Sequence, residues 1–149
     1  MVLMLAKGKE MLRPSVFAAA LLTLSTGLAS AHDTEALKVA PPGEPYVQVS
    51  DVLPLPAFIP GLGTLFVAPD TLPAGPFLAY DHDGKLSATV YMTPLKALSD
   101  GTAYNDLGIG LHEVSSVDVY YNAGHPGVDE PHAHIVLDHD AEAKGRLAQ

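Results

Sequence analysis

The sequence of 149 residues contains no cysteine. This absence excludes disulfide bonds, thiolate zinc sites, iron–sulfur clusters and thioether-linked haem. Any metal bound by the chain must therefore take its ligands from histidine, carboxylate or backbone oxygen.

Basic residues are also scarce. Eight lysine and arginine residues stand against 17 aspartate and glutamate residues, which gives a formal net charge of −9. Such a chain repels phosphate groups, so we expect no nucleic-acid partner and no binding to an anionic membrane. Lys7, Lys9 and Arg13 are three of the eight basic residues, so the chain after residue 31 is more acidic still.

No hydrophobic run reaches the roughly 20 residues that a membrane-spanning helix needs. Residues 1–31 instead have the pattern of a secretory signal, with basic residues, an apolar stretch over residues 16–24 and small residues at 29–31. We therefore predict cleavage before His32 and export to the periplasm or the extracellular space. The prediction is the same for a start at Met1 or at Met11.

The rest of the chain divides by composition into three parts. Residues 32–75 are rich in proline, which disfavours long helices and limits strands to short or edge pieces. Within this part, residues 46–52 and 64–67 have strand-like composition. Residues 76–140 are predicted to form the core of a β domain, and residues 141–149 a polar tail.

Alternating apolar and polar residues predict the strands of this domain. Residues 76–80 and 85–93 are predicted to form a hairpin around an Asp-His-Asp-Gly turn. A short helix should follow over residues 95–98, and further strands over residues 116–121 and 132–138. The fold class is therefore mainly β, as a small antiparallel sheet, sandwich or barrel-like domain with one short helix.

Residues 124–139 hold four of the seven histidines. In a strand, alternate side chains share a face, so His132, His134 and Asp138 should lie on the same side. Two imidazoles about 6.6 Å apart along a strand can converge on one metal ion. The residues between them are predicted to face the core: Ala133, Ile135 and Leu137.

The preceding loop offers His125 as a third ligand. Asp138, Glu130 or Asp118 of the paired strand could complete the site or hold the other N–H of an imidazole. Zn or Cu(II) is favoured by imidazole and carboxylate ligands, with Fe or Mn behind. A free N-terminal amine beside the ring of His32 would be a second, weaker copper site. In the alternative interpretation, the histidines donate hydrogen bonds to backbone carbonyls and brace the loop without a metal.

The sequence contains little that indicates catalysis. The sequence has no Gly-x-Ser-x-Gly motif and no cysteine nucleophile. A metal hydrolase would need a general base, for which Glu130 is the nearby candidate. We therefore expect a protein that is not an enzyme, with no catalytic residue and no small-molecule substrate that the sequence identifies.

The Gly-His-Pro loop at His125 and the Pro-His pair at His132 resemble a family of small exported bacterial proteins. The family is uncharacterised and is typified by a thermophile protein under extracytoplasmic sigma-factor (sigma-E) control. The resemblance covers residues 76–139, matches His125 and His132, and implies a β-rich domain with a tendency to form homo-oligomers. It departs after His132, where the family often has a histidine four residues on; here that position is Val136, and His134 lies two residues on.

Two hypotheses result from the sequence. In the first, an exported β protein binds a divalent transition metal through its histidine cluster as a carrier, buffer or sensor. In the second, it is an envelope or stress protein that self-associates, and its histidine loop is purely structural.

Overall fold

The computed structural model describes residues 34–149. The predicted signal segment, residues 1–31, and the predicted N-terminus at His32 lie outside the described residues. Among the helices of the described part, none combines the length and the hydrophobicity needed to span a membrane.

Six antiparallel strands form one sheet in the order β1-β2-β3-β4-β6-β5. The edges of the sheet are therefore the first strand and the fifth, and three short helices and one 3₁₀ turn flank it. The strands are β1 (Val47–Gln48), β2 (Thr64–Val67), β3 (Phe77–Tyr80), β4 (Leu86–Pro94), β5 (Ser116–Asn122) and β6 (His132–Asp138). The helices are α1 (Val49–Val52), α2 (Leu95–Ser99) and α3 (Ala143–Leu147), and the 3₁₀ turn covers Pro69–Thr71.

The prediction of a mainly β, antiparallel fold is confirmed. Of the architectures left open by the sequence, the structure has a single open sheet that is not closed into a barrel. The predicted short helix is present as α2, and the structure has two more among the described residues. The two additional helices, α1 and α3, both depend on burial of side chains.

Helix α1 occupies residues that were predicted as a strand. Only Val47 and Gln48 of residues 46–52 pair with β2, and the chain then makes one helical turn. Valine favours strands, and a four-residue helix has no stability of its own. Burial of Val49, which packs in the core with 2% of its surface exposed, therefore determines this turn.

Helix α3 lies in the segment that was predicted to be a polar tail. Ala143 and Leu147 are four residues apart, so they share one side of the helix, and both are buried. Arg146 donates from Nε to Asp81 Oδ2 at 2.7 Å and from Nη2 to Asp140 Oδ2 at 2.8 Å. These contacts attach the C-terminal segment to the sheet. The segment is therefore a packed helix with two buried side chains.

Apolar side chains cover both faces of the central strands. One core cluster includes Val67, Phe77 and Val90, and it packs against the proline-rich segment through residues such as Leu53 and Leu62. A second cluster on the opposite face includes Leu78 and Tyr80. The proline-rich segment therefore belongs to the same folded unit as the strands, where it covers the sheet.

The predicted orientation of β6 was wrong. His132, His134 and Asp138 are buried, whereas the alternate residues Ala133, Ile135 and Leu137 are only half-buried. Both sets contain apolar residues, so alternation alone does not decide which set faces inward. The histidine face is buried because the segment over residues 49–62 covers it.

Candidate metal centre

Strand β6 supplies two of the three clustered histidines. It pairs with β4 on one side and β5 on the other, so its backbone is held along its whole length. His132 lies opposite Asn122 of β5, and His134 lies opposite Tyr120. Because residues two apart in a strand share a face, both imidazoles extend from the same side of the sheet.

A tight loop supplies the third histidine. His125 and Val128 exchange two backbone hydrogen bonds of 2.9 Å, with Pro126 and Gly127 between them. Gly127 has a φ of +89°, so the Pro-Gly pair matches a turn that requires a left-handed third residue. A Cβ atom on Gly124 would lie 2.5 Å from the backbone oxygen of Asp129, which excludes larger residues before His125.

The three imidazole rings lie close together. One ring nitrogen from each of His125, His132 and His134 lies within 4.8 Å of the others. The Nε2 atoms of His132 and His134 are 2.9 Å apart. Tetrahedral Zn²⁺ with bonds of about 2.0 to 2.1 Å separates its ligand nitrogens by roughly 3.3 Å, which is close to the spacing of these two atoms.

Backbone oxygens determine the tautomers of two rings. The Nδ1 atom of His132 lies 2.8 Å from the carbonyl oxygen of Glu130, and that of His125 lies 3.1 Å from the oxygen of Pro126. A carbonyl oxygen only accepts hydrogen bonds, so both Nδ1 atoms carry the proton. In its neutral form, each ring therefore has its lone pair on Nε2, the atom available to a metal.

The third ring is held by a tyrosine. His134 Nδ1 lies 3.0 Å from the Tyr120 hydroxyl, which can donate or accept a hydrogen bond. Without a cation, His134 Nε2 donates to His132 and Tyr120 donates to Nδ1. With a cation on Nε2, the proton lies on Nδ1 and Tyr120 accepts it, so the same contact supports both states.

Burial keeps His134 neutral. Burial, followed by the neighbouring His132 and His125, lowers the pKa of His134 to about 4. Burial and the Asp118 carboxylate raise the pKa of Tyr120, so its hydroxyl keeps its proton. At neutral pH, His134 is thus in the uncharged form that binds metals.

The carboxylates predicted near the site lie elsewhere. Asp138 accepts a hydrogen bond from Ser116 at 2.8 Å and faces Lys144, at a strand position about 13 Å from His134. Asp118, a further candidate, pairs with Lys144. Glu130 is exposed and contributes its backbone oxygen to His132. Within the described residues, the structure therefore brings together the three histidines without a carboxylate.

The other described histidines are not part of this cluster. His82 stacks on Phe58, and His112 is exposed in a loop. His139 is buried, with Nδ1 bonded to the backbone oxygen of Glu113 and Nε2 to the Thr89 hydroxyl. His139 thus matches the alternative interpretation of histidine as a brace, because both of its nitrogens are occupied.

A cavity of about 330 Å³ adjoins the cluster. His125 and His134 form part of its wall, together with Tyr120 and Asn122. Apolar side chains from α1, the proline-rich segment and the sheet form the remainder of its wall. The histidine cluster therefore packs on the sheet and also borders this largely apolar cavity.

Comparison with known proteins identifies a relative. A crystal structure of the hypothetical protein TTHB210 from Thermus thermophilus matches with 45% sequence identity and a TM-score of 0.57. The match covers 64% of this chain and 94% of TTHB210. This chain belongs to the TTHB210 family. No family model matches it, and no curated protein does either.

The family assignment supports the resemblance to a family with a thermophile member. It adds no activity, since TTHB210 is described as hypothetical. Function must therefore be inferred from the site itself.

Sequence reasoning missed two residues of the site, Tyr120 and Asn122. The sequence of β5 contains a pattern that could have indicated Tyr120. This residue alternates with the apolar residues of the strand and therefore lies on the opposite face. The missing information was the register that places Tyr120 opposite His134. That register depends on long-range pairing, which the alternation in one strand does not specify.

Proposed function

We propose that the protein binds one divalent transition metal ion, Zn²⁺ or Cu²⁺, through His125, His132 and His134. In this role it acts as a metal carrier, buffer or sensor rather than as an enzyme. Three imidazoles without a thiolate or a carboxylate suit these two ions better than Mg²⁺ or Ca²⁺, which prefer oxygen ligands.

The convergence of three ring nitrogens within 4.8 Å is the observation that supports the proposal. Two further features agree with it. The main-chain contacts of His125 and His132 engage Nδ1 and leave Nε2 available. Tyr120 holds the remaining nitrogen of His134, as second hydrogen-bond partners do in metal sites.

The proposal includes the location of the protein. The basic and apolar pattern of residues 1–31 supports export to the periplasm or the extracellular space. Control by an extracytoplasmic sigma factor, which the family resemblance implies, would place synthesis of the protein in a response to envelope stress.

Metal titration of the tag-free protein tests the proposal. Equilibrium dialysis against Zn²⁺ or Cu²⁺ should give one equivalent per chain. Loss of a second hydrogen-bond partner alone weakens metal sites by roughly 10- to 100-fold, so His125→Ala, which removes a ligand, should weaken binding by at least about 100-fold. His125 lies in a half-buried loop, so this variant should keep its fold, checked by circular dichroism.

The matched control is His112→Ala, since His112 is exposed and lies outside the cluster. It should bind metal as the parent protein does. Equal affinities in the His125→Ala and His112→Ala variants, or no stoichiometric binding to the parent, would contradict the proposal.

A second candidate function is favoured by a different surface. Val117, Val119 and Tyr121 lie on the outer face of the edge strand β5, and Val119 is 67% exposed. Exposed apolar residues on a sheet edge favour association with another chain. We propose on this basis that the protein self-associates as a homo-oligomer, which agrees with the structural role considered from the sequence.

Light scattering on the purified protein tests self-association. Val119→Lys should shift the molar mass toward that of a monomer, because it places a charge in the centre of the apolar face. The control Val39→Lys changes an exposed valine away from β5 and should have no effect. A monomeric parent protein would contradict this second candidate.

A further inference from the structure

The wall of the cavity beside the histidine cluster has two chemically different parts. Most of the wall is apolar, with residues such as Leu53, Leu55, Ile59 and Met92. The rest of the wall carries the ring of His134 and the polar side chains of Tyr120 and Asn122. This arrangement is typical of a pocket for a small molecule with an apolar body and one polar group.

The polar part of the cavity wall includes two of the three ligands of the proposed metal site. His125 and His134 line the cavity, whereas His132 does not and is fully buried. Three protein ligands leave one tetrahedral position for an external ligand. Since two of the three rings border the cavity, that fourth position is accessible from it.

Charge limits the external ligand. Neutral imidazoles leave the full charge of a divalent ion uncompensated in a largely apolar setting, which is costly. The described residues that line the cavity include no aspartate, glutamate, lysine or arginine. An anionic group on the bound molecule would supply the missing negative charge, and a carboxylate is the simplest anion that also coordinates these metals.

The volume of the cavity limits the size of the ligand. A protein cavity of about 150 Å³ holds benzene, which has six carbon atoms. By the same proportion, 330 Å³ has room for roughly a dozen non-hydrogen atoms. A saturated carboxylic acid of about ten carbons has this size and fits aliphatic walls.

We infer that the cavity binds a medium-chain aliphatic carboxylate, with its carboxylate on the metal ion held by the three histidines and its chain along the aliphatic wall. This inference rests on the proposed metal site and names the ligand that the site would take.

Cobalt(II) and decanoate are suitable probes. Co²⁺ occupies zinc-type sites, and its visible absorption changes with its ligands and geometry. Metal loading is measured first by titration with Co²⁺ alone, and decanoate is then added to the loaded protein. We expect a saturable change in the cobalt spectrum with one decanoate per chain.

Two related compounds separate the contributions of head and tail. Acetate has the same head group without the chain, and burial of eight additional methylene groups should make decanoate bind at least about 100-fold more tightly. Decanol has the chain without the anion, so it should leave the cobalt spectrum unchanged. Decanoate binding should also be at least about tenfold weaker in the metal-free protein.

Variants locate the ligand. Leu55→Trp fills the cavity from its half-buried wall and should abolish decanoate binding while leaving the Co²⁺ titration unchanged. Val52→Trp is the matched control, because Val52 is exposed and does not line the cavity. It should bind both Co²⁺ and decanoate as the parent does.

The outcomes separate this inference from the metal proposal. If Co²⁺ binds but decanoate leaves its spectrum unchanged, the inference is overturned and the metal site stands. Equal decanoate affinity with and without metal, equal affinity in Leu55→Trp, or decanoate binding that only changes the oligomeric state would also overturn it. If Co²⁺ itself does not bind, the metal proposal fails at the first step, and this inference fails with it.

Discussion

Two polar clusters, each partly buried, interrupt the apolar packing of this sheet, and their polar groups are paired in different ways. In the first, Arg146 binds both Asp81 and Asp140, and the buried Asp81 has its cation at 2.7 Å. In the second, one ring nitrogen from each of His125, His132 and His134 lies within 4.8 Å of the others. Among the described residues, the first cluster contains its own cation, and the second contains neither a cation nor a carboxylate.

This difference indicates that one cluster stabilises the fold and that the other binds a ligand. Buried polar groups need partners, and the arginine cluster finds all of them within the chain. The histidine cluster brings three ring nitrogens together, and the Nδ1 contacts of His125 and His132 with carbonyl oxygens leave their Nε2 atoms for a ligand in the neutral rings. We therefore assign a structural role to the arginine cluster and a ligand-binding role to the histidine cluster.

Removal of two histidines should have the largest effect. The double variant His132→Ala with His134→Ala should weaken Zn²⁺ binding by at least about 1,000-fold, since most of the coordination energy is lost. Equilibrium dialysis measures the affinity, and urea unfolding without metal measures the stability. A folded double variant that still binds Zn²⁺ like the parent would place the site elsewhere.

Loss of the arginine should affect stability and leave metal binding unchanged. Arg146→Met leaves Asp81 buried without its cation, which should lower the free energy of unfolding by about 3 kcal/mol. Lys96→Met, which breaks an exposed pair with Asp100, is the control and should change stability little. A drop in Zn²⁺ affinity in folded Arg146→Met would show that the two clusters are coupled.

The clusters should also respond to different pH ranges in the metal-free protein. The folded-state pKa of His134, about 4, lies below the usual value near 6.5, so the unfolded chain binds more protons between these values. The free energy of unfolding should therefore fall as pH falls from about 6.5 to about 4, by at most about 1.4 kcal/mol per pH unit for this group.

The arginine cluster should act at lower pH. The hydrogen bond from Arg146 holds the pKa of Asp140 well below its usual range, so the contribution of Asp140 to stability is lost only as pH falls below about 4.

Burial also lowers the pKa of His139, so this histidine adds to the fall in the free energy of unfolding as pH falls below about 6.5. Urea unfolding from pH 4.5 to 7.5 should show a smaller slope in His134→Gln, and an unchanged slope would contradict the assignment.

Tyr120 should have the smallest effect. Tyr120→Phe removes the hydroxyl that holds His134 Nδ1, and such a loss should weaken metal binding by about tenfold. Tyr121→Phe is a close control, because this neighbouring side chain is exposed on the opposite face of β5. Equal affinities in the two variants would remove Tyr120 from the site.

Local patterns predicted much of the architecture. Alternation located β5 and β6 to within a residue, and it placed His132 and His134 on one face. The Gly-His-Pro-Gly sequence indicated a loop next to them. These features depend on backbone periodicity and turn geometry, which short stretches of sequence determine.

Features that depend on distant segments could not be predicted. Alternation did not show which face of β6 is buried, because the cover comes from residues 49–62, far away in the sequence. The same segment forms the cavity wall. Asp138 was a reasonable ligand candidate by face, but four residues along a strand separate it from His134 by about 13 Å.

The most direct test of the metal site is a crystal structure of Zn²⁺-loaded protein with anomalous diffraction at the zinc edge. We predict one anomalous peak among the three rings, about 2.0 to 2.1 Å from a nitrogen of each of His125, His132 and His134. Zinc located elsewhere, or His132 and His134 still bonded to each other at the 2.9 Å seen here, would contradict the account.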